Sequence, residues 1–586
     1  MSALTHLFAR LARGRRKPVS AAEADAMLRE AEEAAARGDS DAARGICATI
    51  LARFPRHAAS QHLLGVIHGR DGDLVRARAH IAQAVALAPD WPDAHLGHGN
   101  IQQLLGDAPR AEASYRRALE LDPGAAPAHY NLAVLLERAG RTEEALQSLR
   151  RAHELDPGRA EVTWDLVRRL LDAGELVAAR SAAERTLARS TGSAAAHKAS
   201  GLVHLIRHEP QLALERFEGA AALAPDDAEA WLHAGIAAQE LARLDDAFAA
   251  YERALQIRPD YPQALWRRSL VRLLKGEFER GWPDYEVRLV SDGSPRRRFL
   301  QPRWQGEPLA GRTLLVHAEQ GLGDEIMFAS CLPELIAEAR HCVIDCHPKL
   351  AAIFQRSFPA ASVHGGVQSE DISWLGAYPA PDYQIPAGSV PLIRRNQAGE
   401  FPRHAGYLRA DPLKVAAWKT RLGSLGRGLK VGISWRGGTP LSRAQLRSLT
   451  LEQLLPVLRL AGVRFIDLQY TDTAGERAAL EERSGVTIAH WPEALADYDE
   501  TAALVGALDL TLSVCTAVVH LAGALGKEAW VMTPFSPEWR YGQAGERMIW
   551  YPSVTLVRQP RYGEWAPVIA VIERRLAQRA AGGAGA

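Results

Sequence analysis

Hydrophobic and polar positions in the first half of the chain recur with a period of 34 residues. Prolines that would close similar helix ends mark this period, at intervals of 34, 34, 34, 68 and 34 residues: Pro55, Pro89, Pro123, Pro157, Pro225 and Pro259. Thr191 stands where the missing proline would fall, so that repeat keeps its phase. A fixed period of this length predicts an α-solenoid of stacked helical hairpins.

Each repeat also combines small and large residues at fixed places. With the proline counted as position 32, position 20 is alanine throughout: Ala43, Ala77, Ala111, Ala145, Ala179, Ala213 and Ala247. Position 8 is mostly small and position 24 is often large, which lets two helices approach and fills the space beside them. The pattern resembles the tetratricopeptide repeat family over about residues 24–261, as seven repeats. An eighth helical hairpin leads out of the array.

The resemblance implies a curved groove that holds an extended segment of a client protein. Polar residues on the first helices of the repeats are expected to contact the client: His95, Asn100, Asn131, His197 and His233. Animal O-GlcNAc transferases grip peptide backbone with a run of asparagines, and only Asn131 stands at the matching position here, with Asn100 nearby. We therefore expect a narrow set of clients. The alternative is an array that acts only as a spacer.

Beyond a linker rich in proline, glycine and arginine, the pattern alternates between strands and helices. Strand-like runs are predicted at 313–317, 342–346, 430–435, 464–469, 509–514 and 528–532. Helical patterns lie between and after them, at 325–340, 451–460, 473–483, 497–508, 516–525 and 565–580. This alternation predicts parallel sheets with crossover helices, in two doubly wound halves that meet near residues 402–412. In such folds ligands bind beyond the carboxyl ends of the strands.

The first candidate motif is the turn in "LLVHAEQGLGDEIMF". Gly321 and Gly323 would let the backbone approach a bound donor closely, and Asp324 opens the next helix. The alternative is a tight turn in which Asp324 only caps the helix N-terminus.

The second motif, "VGISWRGGTPLSRAQLRSLT", follows another buried strand. Its arginines Arg436, Arg443 and Arg447 favour a phosphate-bearing ligand, because guanidinium groups pair with phosphate oxygens through two hydrogen bonds. The alternative is solvated charge on a loop.

The third motif is "DLTLSVCTAVVHLAGALG". Its strand ends at Ser513, and a helix opens at Thr516 and Ala517 with His520 one turn later. Free backbone N–H groups at a helix N-terminus favour an anion, although a buried helix with one histidine could also be plain core. Two residues after the neighbouring strand could contact a base or ribose: Gln469 and Tyr470.

Residues 300–575 resemble the heptosyltransferase-like GT-B glycosyltransferase domains, through the three motifs above and "FIDLQY", "FSPEWRYG" and "WYPSVTLVRQ". The resemblance implies Asp324 as the general base that deprotonates an acceptor hydroxyl. It also implies Thr516, Ala517 and His520 as contacts of the donor phosphates. Many relatives have an aspartate where this chain has Cys515. They often have a lysine or an asparagine-rich loop after the tryptophan, where this chain has its three arginines.

Composition narrows the class of protein. The 586 residues carry a formal net charge of +1, which argues against a general nucleic-acid binder. Five scattered cysteines favour a reducing compartment, and a cytoplasmic location is expected. We expect neither a metal nor a cofactor: Cys342 and Cys346 lack a second pair of ligands, and Asp497 with Asp499 is typical of a helix cap. The basic N-terminus is expected to be frayed, with membrane contact as the alternative.

The sequence thus predicts a basic leader (1–23), a tetratricopeptide-repeat solenoid (24–295), an acceptor-side GT-B half (296–410) and a nucleotide-sugar donor half (411–586). The overall layout is also similar to O-GlcNAc transferase and to the repeat-fused flagellin glycosyltransferases of some bacteria. This resemblance implies transfer of a sugar to Ser or Thr of a client such as flagellin. The donor stays open between UDP-N-acetylglucosamine, a CMP-linked nonulosonate and ADP-heptose. Two other functions stay open, a non-catalytic adaptor with a decayed cleft and a lipopolysaccharide sugar transferase.

Overall fold

The computed structural model describes residues 21–290, 299–366, 369–438 and 444–582. The chain divides into two compact units, Met1–Ala224 and Pro225–Ala586. Two sequence predictions fall outside the described residues, namely nearly all of the leader at 1–23 and the loop arginine Arg443.

The described part of the first unit consists of paired helices. Their bounds are Ala21–Ala36, Ser40–Arg53, Ala58–Arg70, Leu74–Leu87, Pro92–Leu104, Ala108–Leu121, Ala126–Arg138, Thr142–Leu155, Ala160–Asp172, Leu176–Arg189, Ala194–Ile206 and Pro210–Leu223.

Small residues at position 8 allow the two helices of a repeat to touch, as the sequence predicts. A Cβ atom added to Gly99 would lie 2.5 Å from the ring of Tyr115, the large residue at position 24 of the same repeat. The alanines at position 20 are buried in every repeat. The period of 34 residues therefore reflects the packing of the two helices of each repeat against each other.

The turn between the two helices of a repeat requires a left-handed backbone. Gly174 takes a φ of +77° at this place, which costs a glycine little. Two repeats put other residues there, His208 with a φ of +59° and Ala242 with a φ of +54°. These two turns keep the fold at some cost in backbone strain.

The second unit opens with the last repeat and a further hairpin, and continues as an α/β structure. Its α-helices are Ala228–Glu240, Leu244–Ile257, Pro262–Lys275, Phe278–Tyr285, Leu322–Phe328, Leu332–Glu338, Ala351–Ser357, Pro391–Arg394, Pro412–Gly423, Leu451–Leu458, Ala474–Ser484, Pro492–Ala496, Tyr498–Ala507, Ala517–Ala524 and Ala566–Gly582. Short 3₁₀ helices occur at Glu286–Leu289, Ala329–Cys331, Pro348–Leu350, Ser373–Ala377, Ala387–Ser389, Ala398–Glu400, Ala444–Arg447 and Trp539–Tyr541.

The strands of the second unit form two sheets within the described residues. They are β1 (Thr313–His317), β2 (His341–Cys346), β3 (Ser362–Gly365), β4 (Tyr383–Pro386), β5 (Leu429–Ser434), β6 (Val463–Asp467), β7 (Leu510–Val514), β8 (Ala529–Thr533), β9 (Arg547–Met548) and β10 (Tyr551–Arg558). The first sheet has the order β3-β2-β1-β4 and is parallel throughout. The second has the order β6-β5-β7-β8-β10-β9, parallel except for β9.

Strand order in the second sheet reverses between β5 and β7, and in the first sheet between β1 and β4. Right-handed crossovers place helices on opposite faces before and after such a reversal. Two separate helix pairs are seen around the second sheet: Leu451–Leu458 packs on Ala566–Gly582, and Pro412–Gly423 packs on Tyr498–Ala507. The reversal points are where ligands bind in folds of this type.

All six strands expected from the sequence are confirmed, with ends that differ by at most two residues. Four strands were not predicted: β3, β4, β9 and β10. Among the described residues, the helices fall short of the length and apolar character needed to cross a bilayer.

The helical hairpin that follows the last repeat packs against residues that lie beside each of the two sheets. The buried indole of Trp282 donates to the backbone oxygen of Arg395 at 2.7 Å, near the first sheet. The same ring makes an edge contact with Trp539, which follows β8 of the second sheet, with 5.5 Å between centroids. Phe278 meets Phe401 at 4.9 Å. This hairpin is therefore part of the core that holds the α/β structure together.

Candidate functional site

The turn after β1 lies directly against the helix that follows β7. A Cβ atom added to Gly323 would lie 3.2 Å from Cδ2 of His520 and 3.4 Å from Cα of Ala517. Only glycine fits this approach without displacing a neighbour. Three residues that the sequence analysis placed in two different motifs thus meet at one point, between the carboxyl ends of two sheets.

Asp324, the next residue of that turn, is held by an arginine from the other sheet's side. Its Oδ1 accepts a hydrogen bond from Nη2 of Arg540 at 2.5 Å, and both side chains are largely buried. Arg540 follows β8 in the 3₁₀ helix Trp539–Tyr541. The Asp324 carboxylate is neutralised where a general base would need to be free.

The ion pair belongs to a row of four alternating charges. Arg540 also lies 3.4 Å from the carboxylate of Glu538, and Glu538 in turn pairs with Arg447. Arg447 is almost fully buried and packs under Gly438, whose backbone leaves room for the guanidinium. The row carries no net charge, so an arriving anion would compete with the two carboxylates for the two arginines.

His520 is a neutral, buried imidazole. Its Nδ1 lies 3.1 Å from the hydroxyl of Tyr551, and the side chain is 3% exposed. Burial lowers the pKa of His520 well below its usual 6.5, and the charge of Arg540 adds to this shift. A neutral imidazole can donate one hydrogen bond to a phosphate but brings no charge to it.

The helix after β7 begins with backbone N–H groups that its own cap leaves available. Thr516 is its N-cap residue, with an extended backbone at φ −136° and ψ 169°. The Thr516 hydroxyl lies 2.9 Å from the hydroxyl of the buried Ser513 instead of reaching into the helix. A half-buried helix N-terminus of this kind favours an anion. Ser513 supports Thr516 and is itself fully buried.

Cys515 stands directly before the N-cap residue Thr516 and brings no carboxylate to the helix N-terminus. The thiol is buried, and burial raises its pKa to about 11. It is therefore uncharged near neutral pH, so this position adds no negative charge beside the helix N-terminus.

Arg436 points away from the meeting point of the two motifs. It pairs with Glu476 at 2.7 Å and donates to Oγ1 of Thr471 and the backbone oxygen of Asp472. Its side chain is about one third exposed. Of the predicted arginines within the described residues, Arg447 is a member of the charge row and Arg436 fastens the loop after β6.

Gln469 has a different role from the one its position suggests. Its Oε1 accepts from the backbone N–H groups of Trp435 and Arg436 and from the hydroxyl of Ser434, while its Nε2 donates to the backbone oxygen of Arg436. The side chain is fully buried. The predicted contact with a base or ribose is therefore corrected: Gln469 fixes the turn after β5. Tyr470 beside it is exposed, and its hydroxyl donates to the backbone oxygen of Gly438.

In the first unit, two of the predicted groove residues contact each other across neighbouring repeats. Nδ2 of Asn131 donates to Oδ1 of Asn100 at 2.8 Å, and the hydroxyl of Tyr115 donates to the same oxygen at 2.9 Å. His95 and His197 instead lie within 2.8 and 3.0 Å of the carbonyl oxygens of Pro89 and Thr191. These imidazoles fasten the turns that join successive repeats.

His233 belongs to the second unit and lies half-buried on the helix Ala228–Glu240. Across the described residues, His, Cys, Asp and Glu side chains form no group of three that could hold a metal ion.

Three kinds of comparison bear on what the chain is similar to. Models of the tetratricopeptide repeat match residues 28–92, 96–160 and 201–262, and a second such model matches 136–201. The curated protein FlbA of Caulobacter vibrioides is 34% identical over 386 residues, which cover 62% of this chain and 64% of FlbA. The chain thus spans less than two thirds of that relative.

Solved structures are similar over parts of the chain. YrrB, described as a TPR protein with an unusual peptide-binding site, is 21% identical, with a TM-score of 0.27 over 32% of this chain and 98% of YrrB. The Cut9–Hcn1 hetero-tetramer of the APC/C is 18% identical, with a TM-score of 0.37 over 49% of this chain and 56% of the matched chain. By the family models and its own helix packing, the first part of this chain is an array of tetratricopeptide repeats, carried ahead of an α/β part with two parallel sheets.

Proposed function

We propose that the α/β part is a metal-independent glycosyltransferase of the GT-B type. The observation that carries the proposal is the contact of Gly323 with Ala517 and His520, which joins the carboxyl ends of two parallel sheets. Each sheet contributes the loop beside its point of strand-order reversal, where ligands of such folds bind. A donor phosphate at the Thr516 helix and an acceptor hydroxyl at Asp324 would then be neighbours.

In the proposed reaction Asp324 removes the proton of an acceptor hydroxyl as its oxygen attacks the anomeric carbon of the donor sugar. The bond from that carbon to the phosphate oxygen breaks, and the nucleotide leaves with the bonding electron pair. Arg447, Arg540 and the helix N-terminus at Thr516 would stabilise the negative charge on the leaving group.

The ion pair of Asp324 with Arg540 would require the donor to bind before the acceptor reacts. A donor phosphate is a stronger partner for a guanidinium than a single carboxylate, because it offers more charge and more acceptor oxygens. Binding of the donor would draw Arg540 away and free Asp324 to act as base. The acceptor then reacts only after the donor is in place.

The proposed acceptor is Ser or Thr of a client protein, with flagellin as the candidate drawn from the resemblance to repeat-fused flagellin glycosyltransferases. The repeats of the first unit would bind an extended segment of the client, and paired amides such as Asn100 and Asn131 can contact peptide backbone. The proposed setting is the bacterial cytoplasm. The donor is a nucleotide-sugar with UDP, CMP, ADP or GDP as carrier.

A second candidate is a non-catalytic adaptor that binds partners through the repeats. Two features favour it: Asp324 is paired with Arg540, and Cys515 is uncharged where the resemblance to the heptosyltransferase-like domains implies an aspartate. An adaptor would keep its partners but transfer no sugar.

The test is thermal unfolding of the full chain with UDP, GDP, ADP and CMP. A nucleotide at a hundred times its dissociation constant should stabilise the second unit by about 2.7 kcal/mol. We expect one nucleotide to do so, and the effect to fall in Arg447→Met and Thr516→Val but persist in Arg253→Met, a matched change at an exposed helical arginine. If none of the four raises the unfolding temperature, the adaptor is the better explanation.

A further inference from the structure

A cavity of about 200 Å³ lies at the carboxyl ends of β8 and β10, beside the loop that follows β5. Its wall comes from three stretches of chain, around Gln445–Gln453, Pro534–Ser536 and Gln559–Trp565. The volume is below the roughly 300–1,000 Å³ of pockets for drug-sized ligands. It has room for a single small ring.

The wall combines amide groups with aromatic rings. Amides are supplied by Gln445, Gln453 and Gln559, and rings by Phe535, Tyr562 and Trp565. Among the described residues, its lining includes neither a carboxylate nor a cationic side chain. The described part of the lining offers an ionic ligand no counter-charge, and it favours a neutral ligand with many hydroxyl groups.

One amide in this wall has an unused donor. Gln559 is 95% buried, and its Oε1 accepts from the backbone N–H of Phe535 at 3.0 Å. Its Nε2 is buried without a hydrogen-bond partner among the described residues. A buried donor left without a partner costs about 1–3 kcal/mol. Gln559 lines the cavity, so a ligand that turns this amide and accepts from Nε2 would remove that cost.

From this lining we infer that the cavity is a binding site for a neutral sugar ring. Hydroxyl groups of a sugar both donate and accept, so they match amide oxygens as well as the Nε2 of Gln559. The apolar faces of a sugar ring pack on aromatic side chains such as Tyr562 and Trp565. Its described lining residues do not belong to the Thr516 helix, which follows a different strand.

The cavity lies beside the charge row, but its described lining residues are not members of that row. Gln445 and Ser448 flank Arg447, while Phe535 and Ser536 lie a few residues before Glu538 and Arg540. A sugar in the cavity would therefore hold the two loops that carry Arg447 and Arg540. The inference stands on the cavity alone and does not depend on the proposed transfer reaction.

The experiment is saturation-transfer NMR on the full chain with three separate probes, D-glucose, N-acetyl-D-glucosamine and uridine. We expect at least one of the two sugars to receive saturation from the protein. Gln559→Leu should weaken that sugar's binding about tenfold, the effect of losing about 1.4 kcal/mol. Gln445→Ala changes an exposed rim residue, so it should fold normally and still weaken binding.

Two controls separate this site from others. Gln263→Leu, a matched change at an exposed glutamine, should leave the sugar signal intact, and so should Thr516→Val at the proposed donor site. The inference is overturned if neither sugar receives saturation, or if the signal survives both Gln559→Leu and Gln445→Ala. It is also overturned if uridine loses its signal in Gln559→Leu, because the cavity would then hold a nucleoside.

Discussion

The carboxylate of Asp324 and the guanidinium of Arg540 are joined at 2.5 Å, although 216 residues separate them in the chain. Asp324 opens the helix after β1 of the first sheet, and Arg540 follows β8 of the second. The pair therefore holds the two halves of the α/β part together at the place where we propose that chemistry occurs. An anion that binds Arg540 weakens the ion pair between Arg540 and Asp324. The same binding leaves Asp324 free to act as the proposed base.

Replacing Asp324 with asparagine tests its role as the base. We expect Asp324→Asn to lower sugar transfer by about 10²–10⁴-fold, because the amide cannot accept the proton of the acceptor hydroxyl. Nucleotide binding should persist, since Arg540 is released for the phosphate. Transfer is measured as mass added to a client, with Asp260→Asn at an exposed turn as the control. Equal transfer by both variants would remove Asp324 from the mechanism.

His520 should make stability depend on pH. Its pKa in the folded protein lies well below the 6.5 of an exposed histidine, because the ring is buried and faces Arg540. Below pH 6.5 the unfolded chain binds a proton that the folded chain does not. The free energy of unfolding should therefore fall as the pH drops below 6.5, and His520 contributes up to about 1.4 kcal/mol per pH unit to that slope.

The measurement is chemical denaturation of the wild type and His520→Asn between pH 8 and 5. Asparagine keeps a polar contact with Tyr551 but does not titrate. The two pH profiles should run parallel above pH 7 and separate below 6.5, with the shallower slope in the variant. Parallel profiles over the whole range would mean that His520 is protonated equally in both states.

Gln469→Leu should destabilise the second unit by about 3 kcal/mol. The change leaves the buried hydroxyl of Ser434 and the N–H groups of Trp435 and Arg436 without their acceptor. Chemical denaturation measures the loss, and Gln263→Leu should stay within about 0.5 kcal/mol of the wild type. A loss below about 1 kcal/mol would mean that the turn after β5 finds other partners.

Ala242→Gly should stabilise the last repeat by about 1 kcal/mol. Ala242 takes a φ of +54°, a left-handed backbone that costs an alanine about 1–2 kcal/mol and a glycine very little. The same change at Ala249, which is exposed within the helix Leu244–Ile257, should cost about 1 kcal/mol instead. Opposite signs in thermal unfolding would confirm the strain, and a loss in both variants would contradict it.

The repeats and the buried strands could be predicted because their signals are local. A period of 34 residues places Gly99 against Tyr115 within one hairpin. An apolar run such as the "LLV" inside Thr313–His317 indicates a strand buried on both faces. β10 was missed because Pro552 argues against a strand. That proline precedes the ladder with β8, which starts at Val554, so it breaks no pairing there.

The candidate site could be predicted only in part. Motifs at strand ends indicated Asp324, Thr516 and His520, because parallel strands bring their carboxyl ends to one edge. Arg540 lies in the quoted motif "FSPEWRYG", but its pairing with Asp324 could not be predicted, since the two residues are far apart in the sequence. Gln469 illustrates the reverse case: its place after a strand indicates a ligand contact, while its side-chain hydrogen bonds are made to the turn after β5.

The hairpin with Trp282 determines where the chain can be cut and recombined. Because Trp282 touches Trp539 and the backbone of Arg395, a fragment starting near residue 296 would leave an unfilled hole in its interior. The fragment to transfer as a whole is therefore Pro225–Ala586, which keeps the last repeat and the hairpin. Chimaeras that exchange client specificity should therefore be joined upstream of Pro225, so that a foreign array is grafted onto a native final repeat.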